Sequence, residues 1–316
     1  MDAYHAAHNG AVVVDLNQRG RISLQDRDRI DLVNRMSTND LTKLEDGEGV
    51  ATVLTTPIGR MIDVLVFLSA GEESLVITGE GRGDAILDYF RRNLFFNDRV
   101  QITDKRESTR LLGVYGVDAA QILIDCGAEV DELTEHNFIS FEDVTIIHAE
   151  PLASRGFWIW CDDTSASKWK KRVLEHGAVQ ADAETYELLS IEAGYPLTTH
   201  ELTEEYIPLE AGLWHSVSFN KGCYTGQEVI ARMESRGKLA KMLVRLAVDD
   251  LMPEGTALYD NEKKVGKLTS LRQRPDGGYL GLGYVNAPSV SEKNVLYGEN
   301  GTRLKIMGIA GTQPER

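Results

Sequence analysis

The period of the hydrophobic pattern changes once along this chain, and that change constrains the fold more than any single residue. After Arg236 the apolar runs are short and alternating: KLAKMLVRLAV, TALYDNEKKVGKLTSL, GGYLGLGYV and NVLYGENGTRLKIMGIA. The steps between them, Asp260-Asn261-Glu262, Pro275-Asp276-Gly277-Gly278 and Glu299-Asn300-Gly301, are turn sequences. Alternation at period 2 buries one face of a strand, and consecutive strands of this kind joined by tight turns close into a small antiparallel β-barrel. Residues 238–316 are therefore expected to form a C-terminal barrel domain.

Ahead of that boundary, strands and helices are mixed. AVVVDL and RISL read as strands, and residues 26–36 as a short helix with Ile30, Leu32, Val33 and Met36 at its apolar positions. The polar run Ser37-Thr38-Asn39-Asp40 then reads as a helix stop and turn. Residues 47–54 and 61–68 are expected strands joined by TTPIGR, with SLVIT as a third, and residues 83–96 space Ile86, Leu87, Phe90, Leu94 and Phe95 as a helix. The order strand, strand, helix, strand, strand, helix recurs from Val144 to about Glu192. This pattern implies an α+β region with antiparallel sheets over residues 1–237, and not a doubly wound parallel sheet.

Composition narrows the function. A net charge of −15 over 316 residues argues against long-range attraction to nucleic acid or to an anionic membrane surface. No run of 18 apolar residues is present, and MDAYHAAHNG lacks the basic and apolar blocks of a signal peptide, so a cytoplasmic location is expected. Three cysteines, Cys126, Cys161 and Cys223, stand far apart, and nothing has the spacing of a metal site. The glycine clusters at 79–83 and at Gly281 and Gly283 lack the strand, spacing and acidic partner of a dinucleotide fingerprint. Phe157, Trp158 and Trp160 read as a strand with one face in the core; the other face could stack on a flat ligand.

The stretch VSFNKGCYTGQEVIARMESR, residues 217–236, is the densest in chemistry. It reads as a short strand over 217–219, a turn at Lys221-Gly222, and a helix opened by a Thr225 to Glu228 capping box. On that reading Cys223 sits two residues before a helix start, beside Lys221 and within reach of Arg232, surroundings that suit a reactive or ligating sulfur. The alternative is a cysteine packed as a small hydrophobe, and local sequence leaves both open.

KGCYTGQE, at 221–228, resembles the signature of the YgfZ family, which belongs with the glycine-cleavage T-protein (aminomethyltransferase) superfamily. IEAGYP at 191–196, EYIPLEAGL at 205–213, STND at 37–40 and GRMIDVLVF at 59–67 fall in the expected order, so the resemblance spans nearly the whole chain. It implies two ferredoxin-like units in a T-protein-like ring plus the terminal barrel, with tetrahydrofolate or a substituted folate as cofactor. It further implies support of iron–sulfur cluster assembly or repair, effects on tRNA modification through such enzymes, and iron–sulfur proteins or their assembly machinery as partners. Cys223 matches the family's cysteine and is the expected catalytic or ligating group. Lys221, Gly222, Tyr224, Gln227, Glu228 and Arg232, with Asp63 and Asn39, are the expected cofactor-binding residues. The chain departs from the T-protein where two successive acids are expected, because these positions are Asp63 and Val64, and the second is the catalytic one. The T-protein's pterin-binding Glu falls at Trp158. Glycine-cleavage chemistry is therefore disfavoured. A folate-dependent one-carbon transferase using Asp63 and a non-catalytic scaffold stand as the alternatives.

Overall fold

The structure is a computed structural model, and it describes residues 2–291 and 295–312. The chain groups into two compact units. The first comprises Met1–Leu54, Asp63–Ala183 and Asn220–Thr225; the second comprises Thr55–Ile62, Glu184–Phe219 and Gly226–Arg316.

The strands lying wholly or mostly in the first unit are Val12–Asp15 (β1), Arg19–Gln25 (β2), Gly49–Thr55 (β3), Met61–Ala70 (β4), Glu73–Glu80 (β5) and Gln101–Asp104 (β6). Arg110–Tyr115 (β7), Phe138–Phe141 (β8), Val144–Ala149 (β9), Gly156–Cys161 (β10) and Val179–Gln180 (β11) follow. One sheet has the order β3-β4-β5-β2-β6 and the other β11-β1-β7-β10-β9-β8. Pairing is antiparallel between β2 and both β5 and β6, and between β10 and both β7 and β9. The short β11 pairs with β1 in parallel. Val13, Val114, Ile146 and Phe157 pack with Leu123 and Trp169 from the helices Ala119–Asp125 and Asp163–Glu175 into one buried cluster. All six residues of β10 are buried, which accounts for the near-continuous apolar run GFWIWC.

In the second unit Lys241–Val248 (β12), Ala257–Asp260 (β13), Lys263–Gln273 (β14), Tyr279–Asn286 (β15), Val295–Gly298 (β16) and Arg303–Ile309 (β17) form a closed barrel. Its order is β12-β15-β14-β13-β16-β17, with antiparallel neighbours throughout. Exposed and buried residues alternate without a break along β17, as period 2 requires. Val244, Leu246, Leu258, Leu268, Val285 and Leu304 fill the interior. Residues 292–294 and 313–316, which the expected barrel domain includes, lie outside the described residues. The α+β class, the two sheets of antiparallel strands and the barrel are those expected from the sequence.

Several local expectations differ from the structure. Residues 217–219 are not a strand; a 3₁₀ turn at Trp214–Ser216 precedes them and Phe219 is exposed. The helix expected over 83–96 spans Gly83–Arg92, so Ile86, Leu87 and Phe90 are buried while Phe95 and Phe96 lie beyond its end and are exposed. The guanidinium of Arg35 covers the Phe95 ring at 4.3 Å. The helix expected over 26–36 is shorter, Arg29–Asn34. Among described residues no helix is long and apolar enough to cross a membrane.

Candidate functional site

The site is built from two loops of the first unit, residues 34–40 and 220–225. Backbone pairing shapes the first of them. Ser37 bridges to Leu54, Thr38 exchanges hydrogen bonds with Val53, and the Asn39 amide donates to Thr52 Oγ1 at 2.8 Å. The STND turn is thus an added rung on β3. Asn39 is half-buried, and its side-chain amide donates to the Ala51 carbonyl at 3.0 Å. That bond makes Asn39 a brace of its own loop.

Lys221 ties the second loop to the first. Its Nζ donates to the carbonyl oxygens of Asn34, Ser37 and Asn39 at 2.7, 2.9 and 2.5 Å. An ammonium has three donors, so these carbonyls take its full complement. The side chain is buried, with the Tyr224 ring 5.2 Å from its nitrogen, and burial pushes its pKa down to about 8. It remains mostly charged at neutral pH. Thr225 N also donates to Arg35 O at 3.1 Å, so both ends of the 221–225 segment are fastened. Tyr224 is buried too, and burial pushes its phenol up to about 12.

Between those fastened ends, Cys223 is exposed, whereas Cys126 and Cys161 are buried. Gly222 beside it is exposed, and a Cβ there would meet nothing within 4 Å. The loop therefore holds a sulfur out from a fixed backbone with open space alongside. The buried cysteines differ chemically as well. Cys161 is pushed up to about 12, first by burial and then by the nearby Asp162, Asp143 and Asp163, which makes it a poor nucleophile.

Thr225 is not the N-cap residue that the expected Thr225 to Glu228 capping box requires. The N-cap of the helix Gln227–Arg236 is Gly226, whose φ of +85° is left-handed and which makes no side-chain cap. A Cβ at Gly226 would lie 2.6 Å from Thr56 O and 2.9 Å from Gly59 Cα, so close backbone approach excludes other residues there. The helix start also moves, so that Cys223 stands four residues ahead of Gln227. Gln227, Glu228 and Arg232 belong to the second unit. Gln227 is half-buried, and Glu228 and Arg232 are exposed.

Asp63 is fully buried in β4. Its carboxylate accepts from Val64 N at 2.9 Å and Gly79 N at 3.1 Å. Burial pushes its pKa up to about 6, against those two bonds and the positive charges of Arg82 and Arg19. Strand alternation sends Val64 to the opposite face, where it is half-buried. Asp63 therefore faces the interior, and the more open face carries an apolar residue.

The second aromatic face, which could stack on a flat ligand, is already occupied. Trp158 is fully buried and its Nε1 donates to the Tyr115 hydroxyl at 2.8 Å, which donates in turn to Glu150 Oε1 at 3.2 Å. Arg19 from β2 completes the network, 3.4 Å from Glu150 and 4.8 Å over the Trp158 ring. Sequence reading passed over Glu150 and Arg19. The available signal was a charged residue at the end of the apolar run VTIIHAE.

Comparison with known proteins places this geometry. Residues 2–221 match the family model described as the GCVT N-terminal domain. The chain is 32% identical over 320 aligned residues to the "Putative transferase At1g60990, chloroplastic" of Arabidopsis thaliana, covering 99% of this chain and 73% of that protein. It is 26% identical over 300 residues to the "Aminomethyltransferase" of Bacillus subtilis, covering 90% of this chain and 82% of that protein. The glycine cleavage system aminomethyltransferase T from Bartonella henselae superposes with a TM-score of 0.86 at 20% identity, covering 96% of this chain and 87% of that one, a likeness of fold. Two sheets of antiparallel strands, a terminal barrel and a match over about two thirds of the length make this chain a member of the GCVT N-terminal domain family, related to the aminomethyltransferases.

Proposed function

We propose that this chain is a tetrahydrofolate-binding protein whose reactive group is the Cys223 thiol, serving the assembly or repair of iron–sulfur clusters in the cytoplasm. The observation that supports this most is the placement of Cys223, exposed on a loop held at both ends, while the other two cysteines are buried. Val64 supports it from the other side, since an apolar side chain on the half-open face of β4 can neither hold an amine nor move a proton. The residues fit a folate in part. Gly222 leaves space beside the sulfur, but the Lys221 ammonium is committed to three carbonyls and is not available to an anionic tail. Among described residues no group of three or more His, Cys, Asp or Glu is gathered for a metal, so a cluster would take its remaining ligands from a client protein.

Calorimetry with tetrahydrofolate tests the cofactor. Rescue of iron–sulfur enzyme activity in cells lacking the protein tests the thiol: Cys223→Ser should fail to rescue while still binding folate. Full rescue by that variant defeats the thiol role.

A folate-dependent transferase is the second reading, favoured by the names of the relatives. Purified protein that turns over a one-carbon folate adduct, and does so equally well as Cys223→Ser, would establish it over the first.

A further inference from the structure

The second unit carries a groove for which the folate reading has no use. Its cavity of about 240 Å³ is walled by Glu205, Tyr206, Lys241, Lys264, Lys267 and Tyr284, among others. Strand register explains the gathering. Tyr284 pairs with Lys267 on β14, and Asn286, two residues on, pairs with Lys241 on β12, so alternation puts these side chains on one face. The floor is rigid. The Tyr206 and Tyr284 rings stack with centroids 3.3 Å apart and planes 10° from parallel, both nearly inaccessible, and the Tyr284 hydroxyl donates to Glu201 O at 3.0 Å.

Charge at the groove opposes that of the chain. The protein carries −15, yet three lysines rim this one small concavity. Lys267 pairs with the exposed Glu205 at 3.0 Å, and the Lys241 ammonium lies 5.0 Å from the Tyr206 centroid. The positive charge of Lys241 acts on the Glu205 and Glu210 carboxylates, and Lys264 is exposed at the rim. The nearby Glu210 carboxyl is buried, burial raises its pKa, and it lies 3.8 Å from the Arg60 guanidinium. Positive charge in a recess of a low-dielectric wall concentrates anions even on an acidic protein. Lysine ammoniums act as point charges that accept phosphate or carboxylate without a fixed bidentate geometry. The volume lies below the roughly 300–1,000 Å³ of sites for larger organic ligands, so the occupant is small.

We propose that this groove binds a compact dianion, a phosphomonoester or a dicarboxylate, with Lys241 and Lys264 as direct contacts and Lys267 released from Glu205 on binding. Glu205 is then a built-in competitor for the anion.

The test is calorimetric titration of the full chain at low salt with inorganic phosphate, glycerol 3-phosphate and succinate. Saturable one-to-one binding with a Kd on the order of 1 mM or tighter is expected. Binding of the phosphates alone marks a phosphomonoester site, and binding of succinate alone a dicarboxylate site. Lys264 and Glu205 are exposed, so Lys264→Gln and Glu205→Gln keep the fold. Lys264→Gln should weaken binding about tenfold, whereas Glu205→Gln should tighten it several-fold. No saturable binding by the wild type, or two variants that bind as the wild type does, overturns the proposal.

Discussion

Cys223 and Asp63 are the two residues on which chemistry was most expected in the first unit, and the fold treats them in opposite ways. Cys223 is exposed on a loop whose backbone is fastened on both sides. Asp63 is sealed in a strand, its carboxylate occupied by two amides of its own sheet. A residue type suited to catalysis thus says little until its facing direction is known. One step along β4 exchanges a buried acid for a half-buried valine.

The strongest way to break this contrast is to remove the brace. Lys221→Met leaves three carbonyls without their shared donor, and at about 1.5–3 kcal/mol for each bond to a charged group, with some recovered by water, a loss of about 4 kcal/mol is expected in urea denaturation. A loss below about 1 kcal/mol would mean that the loop is held by other means.

Asp63→Asn probes the sealed side. The Asp63 pKa rises from 3.8 to about 6 on folding, so the fold prefers its neutral form. Its favourable contribution is complete below the unfolded value and is lost as pH rises through about 6. The wild type should therefore lose ground to Asp63→Asn by about 3 kcal/mol between pH 3.5 and 7, measured as the difference in their unfolding free energies. A constant difference across that range would show that Asp63 is not desolvated.

The smallest effect on stability is expected at the sulfur itself. Cys223→Ser should change the unfolding free energy by less than about 0.5 kcal/mol, as for other exposed positions. A thiol reagent should modify one cysteine of the native protein and all three after unfolding, and the native signal should vanish in Cys223→Ser. Reaction at Cys161 in the native state would contradict its burial.

How much of this was legible in the sequence depended on the distance between partners. The barrel was legible because period 2 is a local property, and β17 alternates without exception. The helix boundaries were not, because Leu94 and Phe95 continue a helical spacing that the chain ends at Arg92. The role of Lys221 was out of reach of any local pattern, since its three acceptors lie 182 to 187 residues away. Thr225 misses the N-cap position for a tertiary reason. Thr225 has its amide drawn to Arg35 O, and the left-handed turn at Gly226 moves the helix start past it. For Cys223, exposure was the missing fact, and only the fold decides it.

The left-handed glycine separates the parts of this motif that hold the backbone from the part that does not. Of the eight residues in KGCYTGQE, Lys221, Tyr224 and Gly226 are buried, and each meets a demand of shape: a carbonyl clamp, a filled space beneath it, a close crossing of backbones. Cys223 meets none. A descendant could exchange its thiol and keep its architecture, while one that lost Gly226 would have to rebuild the crossing at Thr56. The motif is held by its joinery, and the sulfur rides on that joinery without supporting it.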